Sequence, residues 1–249
     1  MNGKKDHLII LAGGKGTRMN EVLPKALLEI KGKALLEHIT GTLAGLDIEI
    51  SIVVGYEGKK IIEKMGSGFN YVWQPRQLGT GDAVLCAKKE LSGKTIGTLI
   101  VLPSDHPLIR KETVERLLNE HKNKKAHLSL ATVVVPHFED DNRNFYNCGR
   151  IMRDKKGEIA EIVELKDASE KQRETKELNV SYYCFDAGWL WKNIDGLKKN
   201  NAAKEYYLTD LVKIAKDRGD VISSVIIENP KEGLGVNTKE QFDIVKKHI

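Results

Sequence analysis

Apolar residues fall along this chain in two alternating rhythms. Compact runs rich in Leu, Ile and Val occupy positions 8–11, 48–54 and 98–102 and read as strands, and Tyr71-Val72-Trp73 reads as a brief fourth. Between them, spacings of three and four residues mark helices. One spans 34–46, with Leu35, Leu36, Ile39, Leu43 and Leu46 on a single face. Others span 59–65, closed by Gly66, then 81–91, and 111–122 with Val114, Leu117 and Leu118. Strand and helix alternating at short spacing predict an α/β fold: a mostly parallel sheet with helices on both faces.

Past His127 the rhythm changes. Positions 126–135 read as a strand, and an aperiodic polar stretch, HFEDDNRNFYN, follows. Lys155-Lys156-Gly157 lies between apolar segments at 151–154 and 159–164, a hairpin signal. The charge-rich stretch 169–177 reads as a solvated helix or loop. Positions 180–185 and 221–227 read as strands, and 188–197, 207–218 and 238–247 as helices. This half is richer in strands and is expected to form a lobe built onto the sheet. No Pro-, Gly- or Ser-rich linker divides the halves. The expected organisation is therefore one domain over 1–249, with lobes at about 1–125 and 126–249.

Composition narrows the class. At 249 residues, 41% hydrophobic and 30% charged, the chain has the make-up of a soluble globular protein with a substantial core. Its net charge of +5 suits anionic substrates. No basic tract carries interleaved aromatics, so nucleic acid is not an expected partner. The three cysteines, Cys86, Cys148 and Cys184, form no C-x-x-C pair, which points to a reducing cytoplasm. No leader opens the chain and no apolar run approaches ~20 residues, so neither secretion nor a membrane span is expected.

The stretch 7–25, HLIILAGGKGTRMNEVLPK, carries the first candidate chemistry. Its apolar strand runs into Gly13, Gly14 and Gly16, then Thr17, Arg18, Pro24 and Lys25. Glycines let backbone approach a ligand closely, and converging N–H groups bind anions. In open α/β sheets, ligands sit at the carboxyl ends of strands. The reading is a cradle for a polyphosphate. It is not a dinucleotide fingerprint, because Met19 stands where the third glycine belongs, and no Gly-Lys-Ser/Thr closes it as a P-loop.

Further groups follow in order. In QPRQLGTGDA (74–83), Gly79 and Gly81 frame a helix N-terminus, and the Gln74 amide can pair with the edge of a base. In LIVLPSDHP (99–107), Asp105 follows a buried strand at the sheet edge, a position suited to holding a hard cation. His106 is expected to pack in the loop. Cys148-Gly149-Arg150, Glu164 with Lys166, and Asn179 supply polar groups on strands. The runs NAAKEYYLTD (201–210) and Gly235-Val236-Asn237 complete the set; Asn237 either offers a neutral oxygen to a metal or caps the last helix.

In order and spacing these groups resemble the sugar-1-phosphate nucleotidyltransferases, and in particular the pyrophosphorylase half of bacterial N-acetylglucosamine-1-phosphate uridylyltransferase. The likeness covers nearly the whole chain. It implies a Rossmann-like α/β fold with a β-rich sugar-binding lobe, and Mg²⁺-dependent transfer of UMP from UTP to a sugar 1-phosphate, N-acetylglucosamine 1-phosphate first. By this resemblance Leu11, Ala12, Gly13, Gly14, Gln74, Gly79, Thr80 and Ser104 are the nucleotide contacts. Arg18 and Lys25 are the catalytic groups on the triphosphate, and Asp105 and Asn237 the metal ligands. Gly149, Glu164, Lys166 and Asn179 are the sugar contacts. The chain departs from the family at Pro103-Ser104, where Tyr-Gly is usual. It departs again at Cys148, where Tyr is usual, and at Val180-Ser181, where Thr-Gly is usual. These departures leave open another sugar or polyol phosphate, or another nucleoside triphosphate. A non-catalytic regulator that binds nucleotide sugars is the remaining alternative. No hexapeptide repeat follows Asn237, so the acetyltransferase activity of the larger family enzyme is not expected.

Overall fold

A computed structural model describes residues 4–14 and 23–249. Its central strand is β1 (Lys5–Ala12), with Leu8, Ile9 and Ile10 fully buried between neighbouring strands and the helices on each face. Beyond it come the small hairpin of β2 (Glu29–Ile30) and β3 (Lys33–Ala34), α1 (Leu35–Leu43), β4 (Glu49–Val54) and α2 (Gly58–Met65). Then follow β5 (Asn70–Trp73), α3 (Thr80–Leu91), β6 (Ile96–Pro103) and α4 (Lys111–Asn123). β6, β1, β4 and β5 pair in parallel in that order, each reached through a crossover as parallel pairing requires.

The second half continues the same sheet. It contributes β7 (Leu128–Val134), the hairpin β8 (Arg150–Arg153) and β9 (Ile159–Val163), α5 (Glu170–Arg173) and β10 (Glu177–Asp186). α6 (Ala187–Asn193), α7 (Asp210–Arg218), β11 (Ile222–Ile226) and α8 (Lys239–Lys246) follow. β10 enters antiparallel between β6 and β7, and β11 pairs parallel with β7. The order is β11-β7-β10-β6-β1-β4-β5, with β8 attached to β10 and β9 to β8. The expected mixed, mostly parallel α/β sheet is what forms.

Alternation along β1 sorts its side chains to two cores. Leu8 and Ile10 pack with Leu35, Ile39, Val114 and Leu117 on one face. Ile9 packs with Ala83, Val84, Leu190 and Leu211 on the other. Several elements differ in extent from the sequence pattern. α1 starts after Ala34, which pairs with Glu29 in the small hairpin, and stops before Leu46. The polar stretch 169–177 holds the short α5, begun by a capping box in which Ser169 Oγ accepts from the Gln172 N–H. β10 is ten residues long because Asn179 and Ser181 lie inside it, polar positions that hide a strand from an apolar pattern. Among the described residues no helix is long and apolar enough to cross a membrane.

Candidate active site

Parallel strands end together, so β1, β4, β5 and β6 deliver their carboxyl-terminal residues to one edge. A cavity of about 470 Å³ opens there. Leu11, Ala12, Gly13, Gly14, Lys25, Gln74, Gly79, Thr80, Ser104 and Asp105 line it, and Glu164 faces them from the second half. A Cβ at Gly13 would lie 2.4 Å from Gln74 Oε1, so a side chain there would displace the Gln74 amide. Gln74 is buried, and its amide group donates to Gly79 O at 3.1 Å and Asp82 Oδ2 at 2.8 Å. The amide therefore turns its oxygen toward Gly13. Gly79 has φ 112° and leads into α3, and a Cβ would meet Tyr206 O at 2.5 Å. Gly81 N–H donates to Tyr206 O at 2.8 Å and Leu208 N–H to Thr80 Oγ1 at 3.1 Å, fastening this turn to the segment before α7.

Beside the glycine turn, the Lys25 ammonium is held between two oxygens. It bonds the Asp105 carboxylate and, at 2.8 Å, Asn237 Oδ1. Burial acts to raise the Asp105 pKa, but Lys25, His106 and the bond from Lys25 outweigh it and hold the carboxyl below its usual range. The 105 and 237 loops are joined by Val236 N–H donating to Asp105 O at 2.9 Å. A second tie runs through His106 Nδ1, 3.2 Å from the Tyr182 hydroxyl, which donates to Glu232 O at 2.6 Å. Since the phenol proton goes to that carbonyl, its oxygen is left to accept from His106. Thr238 caps α8, its Oγ1 accepting from Gln241 N–H. Asn237 is thereby free to face Lys25. A carboxylate and an amide oxygen already holding a cation are the hard donors that Mg²⁺ favours.

Glu164, Tyr183, Ser181, Thr209 and Glu205 also line the cavity. Thr209 Oγ1 donates to Glu164 Oε1 at 3.4 Å. Burial first, then the charges of Asp167 and Asp210, push the Glu164 carboxyl up to about 7. Gly149 lies against it, where a side chain would come within 3.3 Å of Oε1. Burial, then the Glu164 charge, push the Cys148 thiol up to about 12, so it remains protonated.

The remaining sequence candidates are placed as follows. Gly149, Asn179 and Asn237 stand behind the lining residues, and Lys166 is exposed. Asn179 is buried, its Oδ1 accepting from Ser181 N–H and the Tyr183 hydroxyl. Arg18, with Gly16 and Thr17, lies outside the described residues. Sequence reading passed over Tyr183, Thr209 and Glu205 as site residues. Thr209 and Glu205 sit in the NAAKEYYLTD run, which was singled out without a role, whereas Tyr183 is indistinguishable from a core aromatic.

A mostly parallel sheet with a glycine turn, a helix N-terminus and an oxygen pair holding the Lys25 ammonium at one edge has the make-up of a nucleotidyl-transferring enzyme. Residues 8–176 match the MobA-like NTP transferase domain, and the chain belongs to that family. It is 38% identical over 236 residues to the bifunctional protein GlmU of Listeria innocua, covering 94% of this chain and 50% of that protein. It is 38% identical over 246 residues to the bifunctional protein GlmU of Brevibacillus brevis, covering 98% of this chain and 52% of that protein. The chain thus spans about half the length of the curated relatives it matches.

Proposed function

We propose that this protein transfers UMP from UTP to a sugar 1-phosphate, with N-acetylglucosamine 1-phosphate as acceptor, releasing pyrophosphate. The observation that carries the reading is the Lys25–Asp105–Asn237 cluster beside the Gly13-Gly14 turn, at the cavity edge. In this reading the backbone of the glycine turn and the start of α3 receive the nucleotide. Leu11, Ala12, Gly79, Thr80 and Ser104 form its walls. Gln74, with both amide protons already engaged, offers an oxygen, which suits the N3–H of uracil.

The acceptor lies against Glu164 and Thr209, with Gly149 and Asn179 shaping the wall behind them. Its phosphate oxygen attacks the α-phosphorus in line. Lys25 and Arg18 offset the charge that builds on the reacting phosphorus and on the leaving pyrophosphate. Asp105 and Asn237 are the residues to hold Mg²⁺, which when bound supplies charge neutralisation on the phosphates. Among the described residues no group of three or more His, Cys, Asp or Glu is placed to hold a metal. The remaining ligands in this reading are phosphate oxygens and water. The three free thiols support a cytoplasmic setting.

A second reading keeps the chemistry and changes the acceptor. Pro103, Ser104 and Ser181 all line the cavity, and each departs from the pattern the chain otherwise follows. The test is a matrix of nucleoside triphosphates against sugar 1-phosphates, read by pyrophosphate release. The proposal requires UTP with N-acetylglucosamine 1-phosphate to be fastest. An unacetylated sugar faster by tenfold or more replaces the acceptor, and no release with any pair removes the enzyme reading.

A further inference from the structure

Ser181 stands inside β10 with φ 62°, in left-handed backbone that a Cβ disfavours and that glycine adopts freely. β10 changes register against β7 between Asn179 and Tyr182, so Val180 and Ser181 lie within a bulge. The bulge is held from two sides. Asn179 Oδ1 accepts from Ser181 N–H at 3.0 Å and from the Tyr183 hydroxyl at 2.9 Å. Val180 is buried against Gly233, where a Cβ would come within 2.4 Å of Val180 Cγ1. This arrangement uses up the polar oxygen of Asn179 and sets Ser181 in the cavity wall, with its own Oγ only 3.5 Å from Asn179 Nδ2. The Ser181 hydroxyl also meets that of Tyr183, and the two hydroxyls together line the cavity. A strained serine held this firmly at a cavity wall points to a use for its hydroxyl.

We propose that Ser181 determines acceptor specificity. Its hydroxyl contacts a polar substituent of the sugar ring, taking the part that the motif resemblance assigns to Asn179, while Asn179 holds the bulge. The inference rests on the cavity receiving a sugar 1-phosphate as proposed above. It has a direct consequence for S181A and S181G. Both lose the hydroxyl, but S181G also releases the backbone strain.

The experiment measures kcat/KM for N-acetylglucosamine 1-phosphate and KM for UTP in wild type, S181A and S181G, together with Tm. Both variants are expected to lose about tenfold in kcat/KM for the acceptor, the value of one hydrogen bond. KM for UTP should change less than about twofold, and S181G should melt no lower than wild type. Unchanged acceptor kcat/KM in both variants overturns the proposal. If wild type transfers no nucleotide at all, the reading of the reaction fails separately. Calorimetric titration of N-acetylglucosamine 1-phosphate then decides the role of Ser181: tenfold weaker binding to S181G supports it, and equal binding to wild type and S181G overturns it.

Discussion

Lys25 Nζ donates to Asn237 Oδ1 at 2.8 Å across 212 positions of sequence, and the same ammonium bonds the Asp105 carboxylate. One cation joins the loop after β1, the end of β6 and the entry to α8. The charge on the lysine therefore both stabilises this junction and occupies the two oxygens proposed above to hold Mg²⁺.

Lys25→Ala leaves the largely buried Asp105 carboxylate without its ammonium partner. A stability loss of about 1–3 kcal/mol is expected in metal-free buffer. Added Mg²⁺ should then raise the Tm of the variant more than that of wild type, because the oxygens are vacant. In turnover the variant should lose about 10²–10³-fold in kcat, as when other electrostatic stabilisers are removed. A change confined to KM would remove Lys25 from the transition state.

Asp105→Ala is expected to abolish turnover with the fold intact, since Lys25 retains Asn237 and partial access to water. Circular dichroism checks the fold, and pyrophosphate release at limiting Mg²⁺ checks the chemistry. Near-normal activity there would remove Asp105 from the metal site.

Glu164 titrates at about 7 in the folded chain and near its ordinary 4.5 when unfolded. Between those values the native state holds the extra proton. The Glu164 contribution to stability is thus present at acid pH and is lost as pH rises to about 7. Glu164→Gln removes this dependence. The Tm of the variant relative to wild type should climb from pH 5 to about pH 7.5 and then level off, and a flat difference would refute the assignment.

Gly79→Ala places a Cβ 2.5 Å from Tyr206 O on backbone at φ 112°. The clash and the strain together should cost about 2 kcal/mol or more. Chemical denaturation reads the loss. Because this turn is fastened to the segment before α7, KM for the nucleotide should rise as well.

Tyr182→Phe removes the hydroxyl that donates to Glu232 O and leaves a buried carbonyl unpaired. A loss of about 1–3 kcal/mol is expected. His106 also loses its partner, so the link between the Asp105 loop and the Gly233–Asn237 segment slackens. A weaker apparent affinity for Mn²⁺, read by electron paramagnetic resonance, should accompany the fall in Tm.

Much of this protein was legible in its sequence. The run 8–11 marked the central strand, because burial between strands and helices leaves no room for polar side chains along it. The glycines at 13 and 14, Gln74 and Asp105 were legible because each directly follows such a strand, and parallel strands bring their carboxyl ends to one edge. What tertiary structure alone decided is the partnership of groups far apart in the chain. That Thr238 caps α8 and leaves Asn237 to Lys25 depends on where the last loop docks. Asn179 turns inward and Ser181 reaches the cavity because β10 bulges between β6 and β7, and nothing local in the run Asn179-Val180-Ser181 encodes which side chain faces which way. Sequence spacing carries the direction of a side chain only while a strand keeps its register; where the register shifts, packing against Gly233 and the bonds of Asn179 determine it.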